Sequence, residues 1–276
     1  MANDFSSDGN CKALWNFESG ALTTDSKGSN TLTNSGVDED TTNYKQGSCS
    51  GLWVAANNDS MTIADTDLDS GFPLKSGETN KSFTFAFWIK FTDASDYQYL
   101  IHKHGGYGDK GLVIYIYSSK MRLSISSDGI NSNVYEHATA LEDGIWYHVG
   151  ITYNAGDDGY CIRIWDDTAG AIVGTDKTGT STDININSDN FTLSKTSLET
   201  NANIDEFVVF DEELSTADID KIRGGTYGAG VGGTNAQINI GDTWKTIAGM
   251  QINIGDDWKA VEGAQINIGD TWKTIF

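Results

Sequence analysis

Seven segments of this chain are written in one style. SFTFAFWIKF (82–91), YLIHKH (99–104), GLVIYIYS (111–118), MRLSIS (121–126), WYHVGITY (146–153), YCIRIWD (160–166) and IDEFVVFD (204–211) are short and rich in aromatic and β-branched residues. Several alternate with period two, which puts neighbouring side chains on opposite faces of an extended strand. Residues patterned this way bury themselves in sheets, not on helices. Between the segments stand SSDGINSN, NAGDDGY, DDTAGA and NINSDN, and Asn, Asp and Gly close tight turns. Short strands at this spacing predict an all-β sandwich or barrel.

One short helix is expected in STADIDKIRGG. Ser215 is its N-cap, Asp218 three residues on is the capping-box partner, and Gly224 is the stop. GGTYGAGVGGTNA (224–236) then reads as a flexible joint. Beyond it QINIGDTWKTI (237–247), QINIGDDWKAV (251–261) and QINIGDTWKTI (265–275) repeat one phrase. Each copy predicts a β-hairpin. A three-residue loop would set Trp244 opposite Ile240 and gather the apolar side chains on one face. One such hairpin is marginal in water, but three can share a core. The expected organisation is a sandwich over 1–223, a Gly-rich linker over 224–236 and three hairpin repeats over 237–276. Trp244, Trp258 and Trp272 are the centres of the repeats.

The ordered segments resemble the concanavalin A-like jelly roll of the laminin-G and pentraxin type. ALWNFESG with TDSKGSNTLTNSG is similar to that family's opening strand and its Asp-Ser-x-Gly-x-Asn loop. SFTFAFWIKF, YLIHKHGG, GIWYHVGITYNAGDDGYCIRIWDD and NIDEFVVFDEELSTADI follow in the family's order, over about residues 11–223. The resemblance implies a calcium-braced jelly roll. Asp25 and Asn30 are oxygen ligands on a Gly-containing loop, and the resemblance brings Asp205 or Glu206 to the same place. The alternative for DSKGSN is an Asx turn satisfied by its own backbone. The fold hosts lectins, carbohydrate-binding modules, enzymes and adhesion modules, so it does not choose among them.

Other motifs point less far. DTDLD (65–69) has the spacing of half an EF-hand loop, but Ser70 stands where Gly is required and Ser76 where Glu is required. His102 and His104 share a strand face and could chelate a metal, without a visible third ligand. His148 reads as a packing residue. The Glu-x-Asp-x-x-Glu string of laminarinase-type members is absent, and so is Gly-x-Ser-x-Gly; no enzyme is expected. Tyr97, Tyr99, Tyr107 and Tyr135 fall in or near predicted loops, with Asn131 in SSDGINSN. Aromatic faces with Asn and Asp at their edge are what a sugar ring needs, because it is C–H on one face and hydroxyl at its rim.

Charge narrows the partners. Against 39 acidic residues stand 18 basic ones, a formal net charge of −21, which repels phosphate backbones and excludes nucleic acid. No apolar run approaches the roughly 18 residues of a membrane helix, so no membrane insertion is expected. Cys11, Cys49 and Cys161 are too few for a disulfide scaffold, although a Cys11–Cys49 bridge is open. MANDFSSDGN has no basic and apolar leader. With the terminal repeats, this is similar in style to structural proteins of tailed phages, made in a host cytoplasm. The expected function is a non-enzymatic carbohydrate-binding or adhesion protein on a virion surface, or otherwise an extracellular one. Its partners would be a cell-surface glycan or polysaccharide, other virion proteins, and further copies in a homo-oligomer. The alternatives are a purely structural decoration or assembly protein and, last, a glycoside hydrolase.

Overall fold

The computed structural model describes residues 3–195 and 197–228, and beyond them the backbone of six short strands between 237 and 274. The chain divides into two compact units, Phe5–Gly224 and Met1–Asp4 with Gly225–Phe276. In the first unit the strands run β1 (Cys11–Trp15), β2 (Thr33–Ser35), β3 (Asp38–Asp40), β4 (Ser50–Trp53), β5 (Ser60–Ile63), β6 (Phe83–Phe91), β7 (Gln98–Lys103) and β8 (Leu112–Tyr117). They continue as β9 (Lys120–Ile125), β10 (Asn133–Glu136), β11 (Trp146–Asn154), β12 (Gly159–Asp166), β13 (Ala171–Ile172), β14 (Lys177–Thr180), β15 (Phe191–Leu193) and β16 (Ala202–Phe210). One α-helix, α1 (Thr216–Arg223), follows.

These strands form an all-β, antiparallel two-sheet sandwich. The nine-stranded sheet has the order β13-β12-β11-β6-β16-β4-β3, with β1 also paired to β16 and β14 to β12. The seven-stranded sheet has the order β10-β9-β8-β7-β15-β5-β2. Between them, Phe83, Phe85, Phe87, Ile89 and Phe91 of β6 meet Leu112, Ile114, Ile116 and Leu123 within one core. Burying each such side chain contributes roughly 1.5–3 kcal/mol. Phe191 of β15 stacks on Trp15 of β1 at 6.0 Å, and Phe207 on Phe87 at 5.2 Å. The Phe191–Trp15 pair bridges the gap between sheets, whereas Phe207 and Phe87 stack within the nine-stranded sheet.

The second face of β11 and β12 is covered as well, by α1, whose Ile219 and Ile222 are buried. Gly150 of β11 admits that helix: a Cβ there would lie 2.6 Å from Ile219 Cγ2. Ser215 caps α1 as expected, accepting a hydrogen bond from the Asp218 N–H. The helix stops at Gly224, but Gly224 is right-handed at φ −81°; the left-handed residue is Gly225, at φ +68°.

Three register slips interrupt the described ladders, one of them in β1 between Cys11 and Ala13. In β16 the register slips between Asp205 and Val208, with Glu206 at φ +52°. In β7 it slips between Tyr99 and Ile101. The extra residue moves the outward positions from odd to even numbers. Tyr99 therefore shares a face with His102, their rings 6.1 Å apart, while Leu100 and Ile101 are both buried.

All three cysteines are free thiols, so Cys11 and Cys49 are not bridged. In the second unit each repeat forms an antiparallel hairpin: β17 (Gln237–Ile240) with β18 (Thr243–Thr246), β19 (Gln251–Ile254) with β20 (Asp257–Ala260), and β21 (Gln265–Ile268) with β22 (Thr271–Thr274). The register corrects the expected one. Ile240 pairs with Thr243 and Asn239 with Trp244, and the other two copies repeat this. The connection therefore has two residues, not three. The side chains of Trp244, Trp258 and Trp272 and the stretch 229–236 of the expected linker lie outside the described residues.

Candidate functional site

The outer face of the seven-stranded sheet carries a polar–aromatic cluster. Register builds it from two neighbouring pairs. Tyr99 of β7 stands opposite Tyr115 of β8, and Tyr115 opposite Arg122 of β9. Tyr117 lies two residues along β8, and Tyr97 just before β7. Tyr97 is the hub, with ring centroids 5.5 Å from Tyr99, 5.2 Å from Tyr115 and 5.3 Å from Tyr117. Tyr97 and Tyr117 are 40% and 44% exposed, whereas Tyr115 is buried beneath them. A sugar can therefore reach two rings that a third supports.

Cations edge these rings. The Arg122 guanidinium lies 4.8 Å from the Tyr117 centroid and 5.9 Å from Tyr115, and the Lys195 ammonium lies 4.9 Å from Tyr99. Arg122 is held by Glu136, which also takes Lys120 at 3.0 Å. The Lys120 hydrogen bond, then the Arg122 charge, keep the Glu136 carboxyl below its ordinary range. Burial, then the Lys195 charge, push His102 and His104 down to about 4. Both imidazoles are neutral at pH 7, so Lys195 holds the positive charge on that side. Burial, then the hydrogen bond to Tyr99 at 3.3 Å, push the Tyr97 phenol up; it stays a neutral donor. Beside Tyr97 opens a pocket of about 180 Å³ lined with Asp96, Gln98, Glu199 and Asn201 among others. Stacking surface and hydrogen-bonding rim thus meet at one residue.

The remaining expected ligand-binding residues lie elsewhere. Tyr107 is 82% exposed in the 105–111 loop, which hydrogen-bonds to Gly129 through the N–H groups of Gly108 and Lys110. Asn131 is nearby in sequence and donates to Asp128. Tyr135 points the other way, its ring 4.4 Å from Tyr160 and packed on the core. Tyr115 and Tyr117 were not among the expected residues. The alternation of GLVIYIYS does carry their signal, since Val113, Tyr115 and Tyr117 share a face.

The four residues expected to hold calcium separate into two pairs. Asp25 Oδ1 accepts from Leu14 N and Lys27 N, and Oδ2 from Asn30 N and Nδ2, at 2.8–3.1 Å. Asn30 also donates to Asp69 and to Lys12 O, and its carbonyl accepts from Trp15 Nε1. Four N–H donors occupy the Asp25 carboxylate, as in a self-satisfied Asx loop. Asp69, the last acid of DTDLD, joins this loop, while Asp65, the first, pairs with Lys103. Asp205 instead accepts from Lys45 N and Gln46 N. Burial pushes Asp205 up to about 6; burial, then the Asp205 charge, push Glu206 up to about 8. Among the described residues no three His, Cys, Asp or Glu side chains are grouped to hold a metal ion.

The sequence model of one family, described as the concanavalin A-like lectin/glucanases superfamily, matches residues 52–220. No curated protein sequence matches the chain significantly. Among solved structures it is similar to the binding domain of Paraclostridial Mosquitocidal Protein 1, with TM-score 0.59 and 15% identity over 77% of this chain and 51% of that one. It is also similar to the binding domain of botulinum neurotoxin DC in complex with SialylT (TM-score 0.57, 16% identity, 79% and 52% covered). A third is botulinum neurotoxin type C, whose cell entry depends on interaction with two ganglioside molecules (TM-score 0.56, 16% identity, 79% and 52% covered). At these identities the likeness is one of fold, and the chain spans about half the length of each of these structures.

Proposed function

Because the chain belongs to the concanavalin A-like lectin/glucanases superfamily, we propose that it is a non-enzymatic carbohydrate-binding protein. Its glycan site is the outer face of the seven-stranded sheet. The observation that carries this is the contact of Tyr97 with Tyr99, Tyr115 and Tyr117 beside a polar pocket. Two half-exposed rings offer the C–H face of a sugar an apolar surface, and Asp96, Glu199 and Asn201 offer its hydroxyls partners. The similarity to toxin binding domains, one in complex with SialylT and one dependent on gangliosides, supports a carbohydrate partner.

Hydrolysis has less support. A glycosidase needs a protonated carboxyl and an ionised one flanking the sugar. On the tyrosine face Glu136 is held ionised by Lys120 and Arg122. Of the carboxyls pushed upward, Asp205 and Glu206 lie on the other sheet with Asp205 fully buried, and Asp189 stands in the 187–189 loop beside Lys103.

The three near-identical hairpins support a further part of the reading: a virion surface protein whose repeats attach it or tie copies together. Identical units joined in series give avidity for a repeating ligand or a symmetric contact. A glycan array on the full-length protein, repeated with Tyr97→Ala and Tyr117→Ala, tests the site. Loss of about tenfold in affinity with an unchanged melting temperature is expected. Glycan binding that survives both substitutions sinks the assignment. Deleting 234–276 tests the repeats: glycan binding stays and oligomerisation is lost.

A further inference from the structure

Lys195 stands out by its place, not by its lack of an ion pair. The chain has 39 acidic residues against 18 basic ones; Lys12, Lys45 and Lys81 sit beside carboxylates, while Lys27, Lys75 and Lys90 donate to backbone or amide oxygens. Lys195 has no carboxylate within ion-pair distance among the described residues. It stands instead on the Tyr99 ring, 4.9 Å from its centroid. In a field dominated by negative charge, a lysine without a carboxylate on an aromatic face leaves its charge available to a ligand.

Geometry says where that ligand's charge lies. Tyr99 and Tyr97 are 5.5 Å apart, about the width of one pyranose ring. A sugar stacked on exposed Tyr97 lies beside an ammonium that rises above Tyr99. A carboxylate at the edge of such a sugar would face the ammonium seated over the neighbouring ring. Arg122 and Lys120 share the Glu136 carboxylate, so on the Tyr99 side the cation without a carboxylate partner is Lys195.

We propose that the bound glycan carries a carboxylate, as a sugar acid does, and that Lys195 selects for it. This rests on the glycan-binding reading and adds a ligand class to it. The partners are an ammonium and a carboxylate at a half-exposed site, so the preference is modest, about threefold to fivefold over the neutral sugar. It shrinks as salt rises.

The test is calorimetric titration of the full-length protein with oligogalacturonate, oligoguluronate and sialyllactose. Each is paired with its carboxyl-reduced form, and a sulfated galactan oligosaccharide is run beside them. At least one acid is expected to bind about threefold to fivefold tighter than its reduced partner. Lys195→Gln brings that ratio to about one while leaving the reduced sugar's affinity in place, and Lys195→Arg keeps the ratio. Equal binding of acid and reduced forms overturns the carboxylate assignment and leaves glycan binding standing. Tighter binding of the sulfated sugar overturns it too. If every sugar, neutral, carboxylated and sulfated, fails to bind, the glycan reading falls with it.

Discussion

Lys103 lies in the strand that carries the tyrosine face, but it points inward and is 2% exposed. Its ammonium donates to Asp65 Oδ1 at 2.6 Å, Asp189 O at 2.7 Å and Asn187 O at 2.8 Å. All three ammonium protons are placed, and β7 is tied to the 65–67 turn and to the 187–189 loop. Burial outweighs the Asp65 attraction and pulls the Lys103 ammonium below its ordinary range. The pair is therefore not a source of net stability, yet breaking it is costly. Lys103→Met leaves the Asp65 carboxylate buried with one remaining hydrogen bond, from Ser76 N, and strands two carbonyls. Removing one partner of a buried pair costs about 3–5 kcal/mol, and water entering the space lowers this, so we expect about 4 kcal/mol. At about 2–4 °C per kcal/mol for a body of this size, the melting temperature falls by about 8–16 °C. Adding Asp65→Asn removes the stranded charge while an amide can still accept from Ser76 N. The double variant recovers more than half of the loss. Urea unfolding followed by tryptophan fluorescence reads the cycle, because Trp15 and Trp53 are fully buried. A loss below about 1 kcal/mol for Lys103→Met, in the range of an exposed pair, refutes the reasoning. So does a double variant that is worse than the single one.

Three further outcomes are expected. Glu206 has its pKa raised to about 8, so its contribution is fully present below its unfolded pKa and is lost as pH rises through 8. Glu206→Gln thus raises the melting temperature at pH 9, by about 2 kcal/mol equivalent, and changes little at pH 4; a pH series of thermal melts checks this. His148 is pushed down to about 3, by burial first and then the Arg223 charge, so the neutral ring's stability is present above the unfolded pKa of about 6.5 and is lost as pH falls toward 3. His148→Gln flattens the acid limb of the same series, and an unchanged limb counts against this account. Gly150→Val drives a side chain into Ile219 and costs about 2 kcal/mol; Ile219→Ala restores part of it in denaturant titrations, and no rescue means the clash lies elsewhere.

The sandwich was legible because its long strands are its most apolar ones. SFTFAFWIKF became β6, WYHVGITY β11, and IDEFVVFD most of β16. The short strands β2, β3 and β14 are TNS, DED and KTGT, with no pattern of their own; they exist because a longer neighbour offers a hydrogen-bonding edge. Tyr97 and Tyr99 were legible as surface aromatics. Tyr115 and Tyr117 were passed over because they lie within a predicted strand and not at a loop, although the outer face of β8 is as aromatic as its inner face is aliphatic. Lys195 was silent, because its meaning comes from a ring 96 residues earlier in the chain. The Asp25 loop showed its residue types but not its partners, as Asp69 reaches it across 40 residues through the N–H and hydroxyl of Ser29.

The slip in β7 has a consequence for how such a face can diverge. Tyr97 and Tyr99 precede it, His102 and His104 follow it, and one additional residue brings odd and even positions to the same side. Substitution can change the chemistry of this surface only one side chain at a time. Loss of Leu100 would restore strict alternation and leave Tyr99 and His102 together on the outer face and Ile101 and Lys103 inside. The bulge thus absorbs a change of length, so relatives with similar backbones could gain or lose a residue here and keep the same outer face.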